Sequence, residues 1–296
     1  MSRVVFVLTP QVHLLDLAGP AQVFSTAPGY HLDYVAESSP VPTWQGIALQ
    51  ASPSWPVLAV DDLLVVPGWR DGYGFFEPAT IARIAAHHAA GGTVASVCAG
   101  ADALGRAGLL DGRRCTTHHD LQDRLARRYP RAAVVRDVLY VADDRVVTSA
   151  GIASGIDLAL HLVSLRHGPA VAARVAREMV VYARRNGDSR QESAMLRHRG
   201  HLSDVVHRVQ DRIDGSYAEP LRLAALATEA GVSERTLTRL FTAATGRTPL
   251  QYQQLLRVER ADHLIGHGST VEAAARAVGF GDARMLRRLR ARSVAA

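Results

Sequence analysis

Two of the 296 residues are cysteines, and one of them, Cys98, stands where a thiol could do chemistry. The run Thr93-Val-Ala-Ser-Val before it reads as a buried strand, and Ala-Gly-Ala-Asp-Ala-Leu-Gly after it opens a helix. A sharp strand-to-helix turn presents its side chain, and a helix N-terminus favours the thiolate, so the position predicts a lowered thiol pKa and a nucleophile or sensor. A buried inert cysteine is the competing reading. No Lys-Ser/Thr follows Gly100 and Gly105, so a phosphate-cradling loop is not expected. The pairs His87-His88 and His118-His119, with Cys98 and Cys115, raise the question of a metal. Adjacent residues are expected to diverge in direction, and neither Cys-x2-Cys nor His-Glu-x2-His spacing occurs, so neither metal nor cofactor is expected.

A second chemistry is carried by arginine. All 34 basic residues are Arg, and from Tyr217 to Ala296 there are 12 of them against 7 acids, net +5, whereas the preceding 216 residues hold 22 against 21, net +1. A compact basic segment after a near-neutral one suits phosphate neutralisation with counterion release; a solvated Arg-rich surface would look the same by charge alone. Within it, Leu223 to Phe241 has apolar residues at helical spacing, a stop at Gly231 and an N-cap at Ser233. Val271 to Leu289 repeats the pattern, with Gly279 in the place of Gly231 and Asp282 as the cap. Each is a helix-turn-helix signature, whose second helix can reach base edges.

The elements that must position these groups follow from periodicity. Strand-like runs at Arg3–Thr9, Leu32–Ala36, Leu63–Val66 and Thr93–Val97 alternate with helical spacing at Leu14–Thr26, Thr80–Ala90 and after Cys98. Val138–Val141 and Val146–Thr148 flank a turn at Asp143-Asp144, predicting a hairpin. Buried strands separated by helices imply an α/β domain with a mostly parallel sheet and helices on both faces. Ile156–Leu165 and Ala170–Tyr182 read as further helices. The polar stretch Arg184–Arg199 lacks an apolar face and reads as a linker. Everything beyond is helical: Leu202–Ile213, Leu221–Glu229, Glu234–Ala244, Leu250–Ile265, Val271–Val278 and Asp282–Arg292. The division expected is residues 1–183 for sensing and dimerisation, 184–198 as linker and 199–296 as an all-α DNA-binding domain with two helix-turn-helix motifs. The absence of an apolar run of about 18 residues argues against a membrane span. With no signal peptide evident and no disulfide framework, a cytoplasmic protein is expected.

Leu221 to Arg290 resembles the DNA-binding domain of AraC-type regulators, through Ala-Gly-Val-Ser-Glu-Arg-Thr-Leu-Thr-Arg-Leu-Phe, Thr-Gly-Arg-Thr-Pro-Leu-Gln-Tyr and Ala-Val-Gly-Phe-Gly-Asp. The resemblance implies two recognition helices in successive major-groove segments. Ser233, Arg235, Thr236, Thr238 and Arg239 would read from the first, and Asp282, Ala283, Arg284, Arg287 and Arg288 from the second. Leu237, Leu240, Phe241, Val278, Phe280 and Leu286 would face the core. Because the sequence stops soon after Arg287-Arg-Leu-Arg, the first head is expected to dominate.

Residues 3 to 166 resemble the ThiJ/PfpI branch of the class I glutamine amidotransferase-like superfamily. The carrying text is Leu15 to Phe24, Leu64 to Gly68, Ser96 to Gly100, Gly108 to Arg113, Thr116 to His118 and Thr148 to Gly151. The resemblance implies a nucleophilic or oxidant-sensing Cys98, an Asp16 hydrogen-bonded to it, backbone amides near Gly68 and Ala99 lining an oxyanion site, and a pocket histidine at His118. Trp69 stands where a second glycine is usual, no His follows Cys98, and no acid is evident as an orienter for His118. Amidotransferase and protease chemistry are therefore not expected. Together the halves resemble GlxA-type transcriptional regulators, which implies double-stranded DNA and a small-molecule effector as partners, and a homodimer. Two alternatives stay open: a Cys98-dependent enzyme, hydratase or deglycase-like, with a DNA-binding tail, and a vestigial pocket whose domain only dimerises.

Overall fold

The computed structural model describes residues 1–70, 76–181, 187–188, 191, 198–266 and 268–294. They form two compact units, Met1–Gln191 and Glu192–Ala296. Most of the polar stretch 184–198, and the expected helix end at Tyr182, lie outside the described residues. Two described positions in that stretch belong to the first unit and bond within it. The Gly187 carbonyl accepts from the Leu139 and Tyr140 N–H groups at 2.8 and 3.3 Å, and Gln191 Nε2 donates to the Thr117 and Val138 carbonyls at 2.9 and 3.0 Å.

In the first unit, strands β1 (Ser2–Leu8), β2 (Tyr30–Ala36), β3 (Leu63–Val66), β4 (Thr93–Val97), β5 (Tyr140–Asp143) and β6 (Val146–Ser149) make one sheet in the order β2-β1-β3-β4-β6-β5. Every pair is parallel except β6 with β5, the expected hairpin, in which Val146 faces Asp143. Val4, Val5, Phe6, Leu64, Val65, Val66, Val94, Ala95 and Val97 are buried. That is why these strands read as continuous apolar runs rather than alternating ones. Helices α1 (Leu14–Thr26), α2 (Pro78–Ala89), α3 (Ala101–Arg106), α4 (Gln122–Arg128), α5 (Ser154–His167) and α6 (Pro169–Glu178) connect and follow the strands. Helix α2 starts two residues before the expected Thr80 because Pro78 takes the first helical turn, where a missing N–H costs nothing. The chain runs from β1 to β2 and returns to β3 on the other side of β1. Such a reversal opens a crevice at the carboxyl ends of the strands.

The second unit is helical throughout its described residues: α7 (Asp204–Gly215), α8 (Leu223–Glu229), α9 (Glu234–Thr245), α10 (Pro249–Gly266), α11 (Val271–Ala277) and α12 (Ala283–Val294). It has two small cores. Val206, Val209, Ile213, Leu226, Leu237, Phe241, Tyr252 and Leu256 fill the first; Val258, Ala261, Ala274, Val278, Phe280 and Leu286 fill the second. Helix α10 serves both. No described helix is long and apolar enough to cross a membrane.

Candidate thiol pocket and DNA-reading surface

Four segments meet at the carboxyl end of the sheet: the first turn of α1 with Asp16, Pro67-Gly68 after β3, Cys98 after β4, and Gly151-Ile152 after β6. Cys98 has φ +54, a left-handed conformation uncommon for a residue with a side chain. The expected elbow is therefore present. A Cβ on Gly68 would lie 2.4 Å from Asp16 Oδ2 and 2.7 Å from Cys98 Cβ, and one on Gly151 would lie 2.3 Å from Cys98 Cβ. Only glycine at both places lets the thiol and the carboxyl come together.

The surroundings overturn the expected thiolate. Burial, then the Asp16 charge, push the Cys98 thiol far above its ordinary range, and the Ala99 N–H works the other way without prevailing. The stabilising helix end is short, a single turn at Cys98–Gly100 followed by the six-residue α3. Asp16 is itself pushed up to about 6 by burial, against the opposing effect of the Ile152 N–H and of the nearby Cys98 thiol and Gly68 N–H. The Ile152 N–H donates to its Oδ1 at 2.6 Å, while its buried Oδ2 has no hydrogen-bond partner among the described residues. The carboxyl partner for Cys98 is thus the residue the sequence pointed to. Gly68 and the Ala99 N–H, the amides expected to line an oxyanion site, lie beside the Asp16 and Cys98 side chains. At neutral pH the pair is a neutral thiol against a mostly ionised carboxylate, able to pass the thiol proton to Asp16 when the sulfur forms a new bond.

His118 sits in extended conformation just before a one-turn helix, half-buried, with His119 beginning that turn. Their rings lie 4.1 Å apart, and Asp120 oxygens are 3.6 Å from His118 Nδ1 and 3.5 Å from His119 Nε2. One expectation is corrected: adjacent histidines here converge; His118 Nδ1 accepts from the Asp120 N–H at 3.4 Å. Convergence follows from the change of backbone conformation between them, since neighbours diverge only along a regular element. One ligand atom from each of the three residues lies within 4.8 Å of the others, an arrangement that could close on a divalent ion. Thr117, which sequence reasoning passed over, joins this loop to the Cys98 backbone: its Oγ1 donates to the Cys98 carbonyl at 2.8 Å.

On the second unit, Ser233 Oγ accepts from the Thr236 N–H at 3.2 Å and starts α9. Arg235 and Arg239, one turn apart, are exposed, and neither pairs with a carboxylate among the described residues. Thr236 and Thr238 are half-buried beside them, while Leu237 and Phe241 point into the core. In the second motif Asp282 is the cap of α12, its Oδ1 accepting from the Arg284 and Met285 N–H groups at 2.8 and 3.1 Å. Ala283 is buried in the second core and is not on the reading surface, because α12 turns that face toward α11. Arg287 is bonded to Glu272 at 2.6 Å and Arg288 donates to Met285 Sδ at 2.9 Å. Of the arginines expected to read from α12, only Arg284 is exposed without a side-chain partner among the described residues.

Residues 2–165, more than half of the chain, match the DJ-1/PfpI family. The chain belongs to that family. Residues 226–294 match a helix-turn-helix domain, so a DJ-1/PfpI domain precedes an AraC-type helix-turn-helix domain. The chain is 27% identical over 266 residues to the HTH-type transcriptional regulator CdhR of Pseudomonas aeruginosa, covering 88% of this chain and 79% of that one. It is also 37% identical over 163 residues to an isonitrile hydratase of Pseudomonas putida, covering 53% of this chain and 68% of the hydratase. Among solved structures, an AraC family transcriptional regulator from Pseudomonas putida superposes with a TM-score of 0.53 at 23% identity, over 60% of this chain and all of that one, a likeness of fold.

Proposed function

We propose that the protein is a sequence-specific, DNA-binding transcriptional regulator of the cytoplasm. Residues 199–296 read duplex DNA, residues 184–198 link, and residues 1–183 pair two copies and hold a pocket at Cys98 that answers to a small molecule or an oxidant. One observation carries the reading: Arg235 and Arg239 stand exposed and uncompensated on a capped helix of a helix-turn-helix. Unpaired guanidinium forks on such a helix suit bidentate contacts to guanine O6 and N7, and to phosphate. The test is selection of bound duplexes from random DNA, followed by a salt titration on the winner. The reading expects a recurring motif and affinity that falls steeply as salt rises. An unenriched pool, or affinity indifferent to salt, would refute it.

A second reading is favoured by the Cys98–Asp16 pair. An enzyme using Cys98 as nucleophile, with Asp16 taking its proton, fits the same pocket, and one relative is a hydratase. Turnover of an isonitrile abolished by Cys98→Ser would establish it. An effector-dependent change in DNA binding without turnover favours the sensor.

A further inference from the structure

Arg257, on α10, is not on the reading surface, yet it bonds at once to the turn of the second helix-turn-helix and to the segment that leads into the first. Its Nε donates to the Tyr217 carbonyl at 2.6 Å, Nη2 to the Glu219 carbonyl at 2.7 Å and Nη1 to the Gly279 carbonyl at 2.8 Å. Its guanidinium also lies 5.6 Å from the centre of the Phe280 ring. Tyr217 and Glu219 belong to the segment that leads into α8 and the first motif; Gly279 is the turn of the second. A Cβ on Gly279 would lie 1.9 Å from the Ala218 carbonyl oxygen, so that turn rests directly on the same segment. Gln253, one turn before Arg257 on α10, adds a bond to the Glu219 carbonyl at 2.7 Å. Tyr217 packs against both cores.

We propose that Arg257 is a positioning residue that locks the two recognition helices, α9 and α12, into one rigid reading unit by bonding the turn of the second motif and the segment that leads into the first. The inference rests on the DNA-reading function proposed above. Only a planar fork with five donors in fixed directions can hold three carbonyls spread in this way; a lysine ammonium keeps the charge and loses the fork. Locking matters because each added base pair turns the second half of a site by about 34° around the duplex. A rigid pair of heads rejects a site with altered spacing, whereas a loose pair tolerates it.

The experiment uses the full chain, Arg257→Lys and Gln253→Ala, with melting curves to confirm folding. Two duplexes are compared: the site selected by the wild-type protein, and that site with two base pairs inserted between the segments footprinted by the two heads. The wild type should prefer the unaltered site by about tenfold or more, since misplacing the second head loses contacts of that worth. Arg257→Lys should narrow the preference to about threefold or less, and Gln253→Ala should move it part of the way. If Arg257→Lys fails to fold, Gln253→Ala decides. Folded variants that discriminate as sharply as the wild type would overturn the positioning role while leaving DNA reading intact. A wild-type protein that binds no duplex would overturn both.

Discussion

Asp16→Asn isolates the electrostatics of the thiol pocket. In the native protein the Asp16 carboxyl is raised from the ordinary value near 3.8 to about 6, chiefly by burial. At about 1.4 kcal/mol per unit, ionising it costs the fold roughly 3 kcal/mol. The folded protein keeps a proton that the unfolded chain has already released, so stability falls as pH rises from about 4 through 6 and is level above. Between about pH 5 and about pH 7.5 the loss is roughly 1.5 kcal/mol. Asparagine has no proton to lose and can still accept from the Ile152 N–H. Any cost of placing its amide NH2 where the buried Oδ2 stood is the same at every pH and drops out of the comparison. The unfolding free energy of Asp16→Asn minus that of the wild type should therefore grow by roughly 1.5 kcal/mol over that interval. Denaturant titration followed by tryptophan fluorescence is suited to this. The three tryptophans, Trp44, Trp55 and Trp69, all lie in the first unit, so the signal is not a composite of two unfolding units. Parallel pH profiles for the two proteins would refute the perturbed carboxyl.

Other outcomes follow from the same geometry. Cys98 should alkylate slowly at neutral pH, and Asp16→Asn should speed it by about tenfold or more by removing the nearby charge; mass spectrometry of labelled peptides reads both, and unchanged labelling would break the link between the two groups. Cys115, pushed up to about 11 by burial and then by Asp143, should be indifferent to that substitution and serves as the internal control. Arg235→Ala or Arg239→Ala should relax base preference and cost about 1 to 3 kcal/mol on the selected site. Arg287→Ala should cost less, because that side chain is already bonded to Glu272; equal losses at all three would show that pairing does not rank the readers.

The fold was legible because its signals are local. Buried parallel strands appear as Val- and Leu-rich runs, and Gly231 and Gly279, with φ of +70 and +84, mark the two turns. Boundaries shifted by a residue or two where a cap decided them: α7 begins at Asp204 rather than Leu202 because Ser203 Oγ accepts from the Val206 N–H. The elbow at Cys98 and its carboxyl neighbour were also legible, the latter through resemblance. The state of the thiol was not, because a helix N-terminus is visible in sequence while desolvation depends on how four distant segments close over it. Asp282 and Ala283 show the same limit on α12. The register of a recognition helix separates cap, core and reading face only once the helix has packed. The part played by Arg257 carried no signal, since its partners are backbone carbonyls and leave no complementary residue type in the sequence.

Dimerisation is the remaining element of the proposed mechanism, and it has a quantitative consequence. Among the described residues, the two recognition helices of one copy present three exposed arginines without a side-chain partner, Arg235 and Arg239 on the first and Arg284 on the second. With so few base-reading contacts, a single copy should hold a single half-site weakly. Two copies joined through residues 1–183 would make the second engagement intramolecular. Overall affinity for two half-sites could then exceed that for one by about a hundredfold or more with no new contact. The full chain should therefore bind a paired site far more tightly than residues 199–296 do, while the two bind a lone half-site about equally. Cys98→Ala should leave basal binding unchanged, since the thiol lies outside the reading surface, and should abolish any change brought about by an effector or oxidant. Gel-shift titrations of both proteins on single and paired sites measure all of this. If residues 199–296 match the full chain on the paired site, the first domain adds no avidity. A pocket at Cys98 would then have no dimer geometry through which to act on DNA.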